Sequence, residues 1–378
     1  MPATVYFVDA RSRNTRTNTL AKMNVLLKKL IEEHPDAIKA GELCAIKIHF
    51  GELGNDGYIS PVHAKTAAAL AKDLGAKPFF ADTNTLYSGS RSNAVDHLNT
   101  ATAHGFVPEV CGAPVIIADG LKSADWREAP LPPACKHFKA AKIASAFLDA
   151  DSMIVLSHFK GHEMAGFGGA IKNLAMGCAP YQGKREQHSV KFQVKDEKCV
   201  SCGACVPVCP SGAISLDKGA KASDAKASID LELCIGCGEC LSYCATKAIR
   251  MDWNVALPEF TQKMTEYALG AVQGKAGKVL YLSAVKNVVP DCDCTPWSDA
   301  PVVPDLGYLA STDPVAIDQA AFDLVRDAPV RPGSALDGKA GAGDDKFKAL
   351  HPETMGELQL SYGEEIGLGT REYKLVRL

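Results

Sequence analysis

The chain has 378 residues, 47% of them apolar, with 41 basic against 44 acidic side chains and a formal charge of −3. That length exceeds one small core, and a near-neutral balance without blocks of like sign speaks against nucleic acid or an anionic membrane as partner. The opening MPATVYFVDARSR lacks a basic n-region followed by an apolar run, and no stretch of about eighteen apolar residues occurs, so the expectation is a cytoplasmic protein without a membrane span.

VYFVDA (5–10) predicts a first strand, and Leu20, Met23, Leu27, Leu30 and Ile31 then recur at helical spacing. LCAIKIHF (43–50) predicts a second strand, and PVHAKTAAALAKDL (61–74) a helix with proline at its first position. KPFFAD (77–82), APVIIADG (113–120) and SMIVLSHF (152–159) continue the strand series. This βαβα rhythm predicts an α/β fold, a mostly parallel sheet with helices on both faces. The pattern breaks from about 191 to 252, a short cysteine-rich stretch with DKGAKASDAKAS (217–228) as a polar low-complexity hinge. Afterwards come a helix at 258–272, the strand KVLYLSA (278–284) and the helical run ASTDPVAIDQAAFDLV (310–325). In that run Ser311 or Asp313 caps the helix and Pro314 sits in its first turn. YKLVRL (373–378) closes the chain as a strand. The economical division is one α/β domain in two parts, 1–190 and 253–378, interrupted by a small α+β domain at 191–252. Three consecutive domains are the alternative, which leaves the C-terminal piece thin for its own core.

Fourteen cysteines are many for a compartment where disulfides rarely persist, so they read as metal ligands or reactive thiols. Eight fall within 199–244, where CVSCGACVPVCP (199–210) and CIGCGECLSYCA (234–245) repeat at an interval of 35 residues. Each run is C-x2-C-x2-C-x3-C, the spacing of a two-cluster bacterial ferredoxin, in which three thiolates hold one cubane and the fourth ligates the other. On that pattern Cys199, Cys202, Cys205 and Cys244 hold one 4Fe-4S cluster, and Cys234, Cys237, Cys240 and Cys209 hold the second. Ala245 replaces the usual proline after the second run, a position that donates no ligand. Zinc is the plainer alternative, but zinc has no use for a third cysteine at fixed spacing twice over. Two clusters in one small module form an electron wire.

HFKGHEMAGFGGAIKNLAMGC (158–178) reads as the end of a strand, a loop and a helix start. Gly166, Gly168 and Gly169 offer backbone amides at that helix N-terminus, a site for an anionic cofactor. The spacing is not a Walker loop, because Lys172 follows Gly169 by three and Asn173 stands in place of Ser/Thr. Close packing of helix on strand is an equally weighted reading of the glycines. His158, Lys160, His162, Lys172 and His188 gather near the C-terminal end of a parallel strand, where open α/β sheets build their sites. A lysine in such a cationic loop is a candidate nucleophile or base through a lowered pKa. Of the remaining thiols, Cys44 reads as a small buried apolar residue, and Cys111 and Cys135 stay unassigned. The C-x-C pair Cys292 and Cys294, flanked by Asp291 and Asp293, reads as a metal or further iron–sulfur site, with Cys178 as an added ligand. Two inert loop thiols are the equal alternative.

HFKGHEMAGFGGAIKNLAMGC, DCDC and PDLGYLASTDPVAIDQAAFDL, with the ferredoxin module between them, resemble the domain-of-unknown-function family numbered 362, the uncharacterised iron–sulfur centre proteins. The resemblance covers nearly the whole chain and implies architecture and cluster content rather than a reaction. A fainter similarity joins His162, Lys172 and His188, at separations of ten and sixteen residues, to nickel-pincer lactate racemases. It implies a cofactor lysine at Lys172, a metal ligand at His188 and an acid–base role for His162.

The resulting expectation is an electron-transfer protein, a candidate oxidoreductase. It carries two 4Fe-4S clusters, with a further metal or small cofactor near Lys172, a redox partner protein and a small-molecule substrate. A pure electron-transfer module that docks a partner enzyme is one alternative. Racemase-type chemistry with structural clusters, built on Lys172, His162 and His188, is the other.

Overall fold

The computed structural model describes residues 2–87, 89–188, 191–209, 211–216, 225–234, 240, 243–252 and 257–378. The chain divides into two compact units, Met1–Gly183 with Leu257–Leu378, and Lys184–Ala256.

The larger unit begins with strand β1 (Ala3–Asp9), helix α1 (Thr19–Glu33), β2 (Leu43–Lys47), α2 (Pro61–Asp73) and β3 (Lys77–Asp82). Asn18 caps α1 by accepting from the Ala21 amide, and Pro61 occupies the first position of α2, where its missing N–H costs nothing. Next come α3 (Ala94–Ala103), α4 (Pro108–Cys111), β4 (Val115–Ile117), the hairpin β5 (Trp126–Pro130) and β6 (Ala140–Ala144), and α5 (Ser145–Asp149). The segment then holds β7 (Ser152–His158), a second hairpin of β8 (Lys160–His162) and β9 (Gly166–Gly168), and α6 (Ala170–Cys178). The stretch expected as a loop after residue 160 is therefore an antiparallel ladder, pairing Lys160 with Gly168 and His162 with Gly166. Helix α7 (Tyr181–His188) runs across the boundary between the units.

After the smaller unit, the larger one resumes with α8 (Leu257–Ala271), β14 (Val279–Val285), β15 (Gly307–Ser311) and α9 (Pro314–Asp327). Short helices α10 (Lys346–Leu350) and α11 (Leu358–Glu365) and the strand β16 (Tyr373–Arg377) complete it. Asp313, not Ser311, caps α9, accepting from the Val315 and Ala316 amides. Ser311 instead ends β15 and donates to the Thr4 carbonyl. The eight-stranded sheet has the order β16-β1-β15-β14-β7-β2-β3-β4, and only β15 runs against the rest. Side chains alternate between its faces. Tyr6, Val8, Ile154, Leu156, Leu280 and Leu282 join Met23, Leu26, Leu27 and Leu30 of α1 and Ala64, Ala67, Ala68 and Ala71 of α2 in one core cluster. Helices α6 and α9 contact the sheet, and α8 packs on α6.

The smaller unit pairs β10 (Lys191–Val194) with β13 (Ile249–Asp252), and β11 (Ile214–Leu216) with β12 (Ala227–Ile229), both antiparallel. Its core is Phe192, Cys205, Ile214, Ala227, Cys240 and Ile249, with Cys199, Cys209, Cys234 and Cys244 packed against them. So few apolar residues make a small core, in which thiols take the place of aliphatic side chains. Of the expected hinge, 217–224 lies outside the described residues, while 227–229 is the strand β12. Cys237 also lies outside them. Among the described residues no helix is long and apolar enough to cross a membrane.

Candidate functional site

Three adjacent parallel strands end on ionisable residues: β2 on Lys47, β3 on Asp82 and β7 on His158. Open parallel sheets present such strand ends to the crevice where ligands bind. Here the ends are buried, so their charges need partners. Lys47 Nζ lies 3.0 Å from Asp82 Oδ1 and donates to Asn173 Oδ1 at 2.7 Å. Asn173 in turn donates to the Leu156 carbonyl at 2.8 Å, which ties α6 to β7. Gly177 of α6 makes room for the lysine, since a Cβ there would stand 2.2 Å from Lys47 Nζ.

Arg91, only 2% exposed, pairs with Glu52 through Nε at 3.0 Å and donates to the Tyr87 hydroxyl at 2.7 Å. The Tyr87 hydroxyl in turn donates to the Cys294 carbonyl at 3.0 Å. His49 sits beside Arg91, 3.2 Å from Nη1. Burial first, and then the charges of Arg91 and Lys160, hold its pKa well below the imidazole range, so it is neutral.

Asp293 is the next centre of charge. It is fully buried, takes His158 Nδ1 at 2.9 Å and lies 3.2 Å from Lys160 Nζ. Burial opposes its charge, but His158 and Lys160 prevail and hold the carboxyl well below its usual range. The other nitrogen of His158 faces the carbonyls of Lys286 and Asn287 at 2.9 and 3.0 Å. Both ring nitrogens thus face oxygens, and the histidine is a fixed strut.

Cys292 and Cys294 flank this aspartate. One ring nitrogen of His162 and the two sulfurs lie within 4.8 Å of one another, and Lys172 Nζ is 2.9 Å from Cys292 Sγ. A hydrogen bond from Cys294, and then Lys172 and Lys160, hold the Cys292 thiol well below its ordinary pKa, while Cys294 is pushed well above. Cys292 is thus the more acidic thiol of the pair. Burial works against the Lys172 ammonium, but the two sulfurs outweigh it and raise its pKa. The lowered pKa expected of Lys172 is not found, because its nearest neighbour is a thiolate rather than another cation. The lysine is a standing cation.

The expected anion site at the start of α6 is filled from within. The amides of Ala170 and Ile171 donate to the Asp318 carboxylate at 2.7 and 2.9 Å. Burial pushes the Asp318 carboxyl up to about 7 despite those two bonds. Gly169 lets Asp318 approach, since a Cβ there would stand 2.2 Å from Oδ1. Gly166 has φ +78 and a Cβ on it would stand 2.8 Å from Gly356 Cα, and a Cβ on Gly168 would meet Lys172 Cδ at 3.1 Å. All three glycines serve close approach.

Of the residues singled out in the sequence, His158, Lys160, His162, Lys172, Cys292 and Cys294 meet in the larger unit. His188, at the end of α7, belongs to the smaller one. Cys178 is buried at the C-terminal end of α6, and the metal-capable group holds His162, Cys292 and Cys294 without it. Sequence reading missed Lys47, Asp82, Glu52 and Arg91, and named Asp293 only as a neighbour of the C-x-C pair. A lysine inside the apolar run LCAIKIHF and an aspartate closing KPFFAD are the signals that point to two of them.

This is an α/β protein with a buried cluster of ions and thiols at the carboxyl ends of its parallel strands. The family described as Domain of unknown function (DUF362) matches residues 44–323, and the chain belongs to that family. No curated protein matches it in sequence. Among solved structures it is similar to the lactate racemase apoprotein from Thermoanaerobacterium thermosaccharolyticum, at 13% identity and a TM-score of 0.36, over 75% of this chain and 50% of that one. It is also similar to a Thermotoga maritima protein from a structural genomics consortium, at 9% identity and a TM-score of 0.35, over 72% and 52%. The chain thus spans about half the length of these structures, and likenesses this distant carry no weight for the site.

Proposed function

We propose that the protein is an iron–sulfur electron-transfer protein and a candidate oxidoreductase. Two 4Fe-4S clusters, on Cys199, Cys202, Cys205 and Cys244 and on Cys234, Cys237, Cys240 and Cys209, exchange electrons with a redox partner protein and with the ionic site of the larger unit. One observation carries the reading. A cavity in the smaller unit is lined by Cys199, Cys202, Cys205 and Cys244. Three of these thiols come from the first run and the fourth from the second, the crossed set that a two-cluster ferredoxin uses.

The two halves also repeat a finer detail. The Ala213 amide donates to Cys209 Sγ at 3.2 Å and the Ala248 amide to Cys244 Sγ at 3.1 Å, each four residues past its cysteine. Amide donors to ligand sulfur tune cluster potential. No disulfide joins the described cysteines.

Anaerobic purification with iron, zinc and acid-labile sulfide analysis, followed by EPR of the reduced protein, tests the assignment. Equal iron and sulfide at two cubanes per chain supports it, whereas zinc without sulfide removes its basis. Reoxidation of the reduced clusters by candidate acceptors then separates an internal site from a docking module. An effect of Lys172→Ala favours the internal site, and no effect favours a partner enzyme.

A further inference from the structure

We propose that Cys292, Cys294 and His162 form a binding site for one soft divalent transition-metal ion, distinct from the cubanes. The class is zinc, cobalt, nickel or iron(II), which two thiolates and an imidazole select over magnesium or calcium. This deepens the proposed function by giving the ionic site of the larger unit a metal, and it can fail without the cluster assignment failing.

The geometry comes first. The three donor atoms lie within 4.8 Å of one another, a span that one ion at ordinary ligand distances of about 2.0–2.3 Å can bridge. His162 is 4% exposed and Cys292 fully buried. Alternation along the loop does the sorting. Asp293 turns its carboxylate to His158 and Lys160, and the cysteines on either side carry their sulfurs to a common point.

Charge is the second argument. The other buried cations around the site have carboxylate partners: Lys47 with Asp82, Arg91 with Glu52, and Lys160 with Asp293. Lys172 has the C-x-C sulfurs instead, and a divalent ion held there would share their negative charge with that ammonium. The surroundings already orient the ligands, as metal sites require. Lys172 donates to Cys292 Sγ, Tyr87 donates to the Cys294 carbonyl, and the amides of Met164 and Ala165 donate to His162 Nδ1. Three protein ligands leave a tetrahedral ion one position for water or substrate, as catalytic sites do.

The test is metal in excess of acid-labile sulfide on the full chain, purified anaerobically and loaded in turn with zinc, cobalt(II), nickel(II) and iron(II). Cubane iron is matched one-to-one by sulfide, so a separate ion appears as one extra metal per chain. Cys292→Ser and Cys294→Ser should each weaken retention of that ion at least tenfold, and His162→Ala by a smaller factor, with sulfide-matched iron unchanged. Cobalt loading of the unmodified protein should add thiolate-to-cobalt absorption and tetrahedral d–d bands, a readout that needs no variant to fold. No extra metal under any loading, a Cys292–Cys294 disulfide in the anaerobic protein, or excess metal indifferent to both cysteine changes overturns the proposal. Retention that ignores His162→Ala overturns the three-ligand site.

Discussion

Thiols gather in two regions of this molecule, and the two are built on opposite plans. In the smaller unit they come from two copies of one twelve-residue spacing, and the strands around them are three or four residues long. In the larger unit the sulfurs of one C-x-C pair meet His162 and Lys172, while Asp293 between them pairs with His158 and Lys160. The first plan needs little fold to hold it, because close spacing alone brings three thiols together. The second exists only where three parallel strands end side by side, and it is held by buried ion pairs that depend on one another. The difference teaches that the small unit's core is its thiols, whereas the large unit's core is apolar and its thiols are tenants.

The largest expected effect follows from that contrast. Cys244→Ser removes a thiol that packs against the small core and lines the cavity with Cys199, Cys202 and Cys205. It should cost about half of the iron and sulfide per chain, by metal and sulfide analysis, and leave the thermal transition of the larger unit in place. Loss of the larger unit's transition as well would break the comparison.

Asp293→Asn is the corresponding change in the larger unit. It strips His158 and Lys160 of their shared carboxylate. A buried pair broken on one side costs about 3–5 kcal/mol, read from the denaturant midpoint at unchanged slope. A loss below about 1 kcal/mol would show the site to be wetter than the structure has it. Gly169→Ala drives a methyl group against Asp318 and should cost about 1–3 kcal/mol in the same assay, with full iron and sulfide retained.

A further effect is in pH. Asp318 has a folded pKa of about 7 against about 3.9 unfolded, so the native state binds the extra proton between those values. Its contribution to stability is complete below about pH 4 and is lost as pH rises to about 7, at up to about 1.4 kcal/mol per pH unit. Asp318→Asn should flatten that slope. Asp293 has the opposite sign, because its lowered pKa supports the fold above about pH 4 and the support is lost as pH falls further.

Much of the frame is legible in the sequence. Strands at 5–10, 43–50, 77–82 and 152–159 appear within a few residues, because β-branched and aromatic runs between turn residues leave little choice. β15 escapes, since its GYLAS overlaps a run that reads as helix, and only pairing with β1 and β14 makes it a strand. The β8–β9 hairpin escapes because its glycines read as loop. The glycines after residue 165 look like a cradle for an external anion, and nothing in the local sequence reveals that Asp318, some 150 residues away, supplies the anion.

By itself the sequence determined the duplicated cysteine spacing, the α/β alternation and the segments that carry the chemistry. Those depend on residues within a few positions of one another, where backbone geometry and helix or strand period leave few outcomes. Tertiary structure alone decided which charges are paired, that Lys172 faces a thiolate, and that His162 joins Cys292 and Cys294. Those depend on burial and on side-by-side strand ends, and the energy of a charge out of water is set by whatever partner the fold brings beside it.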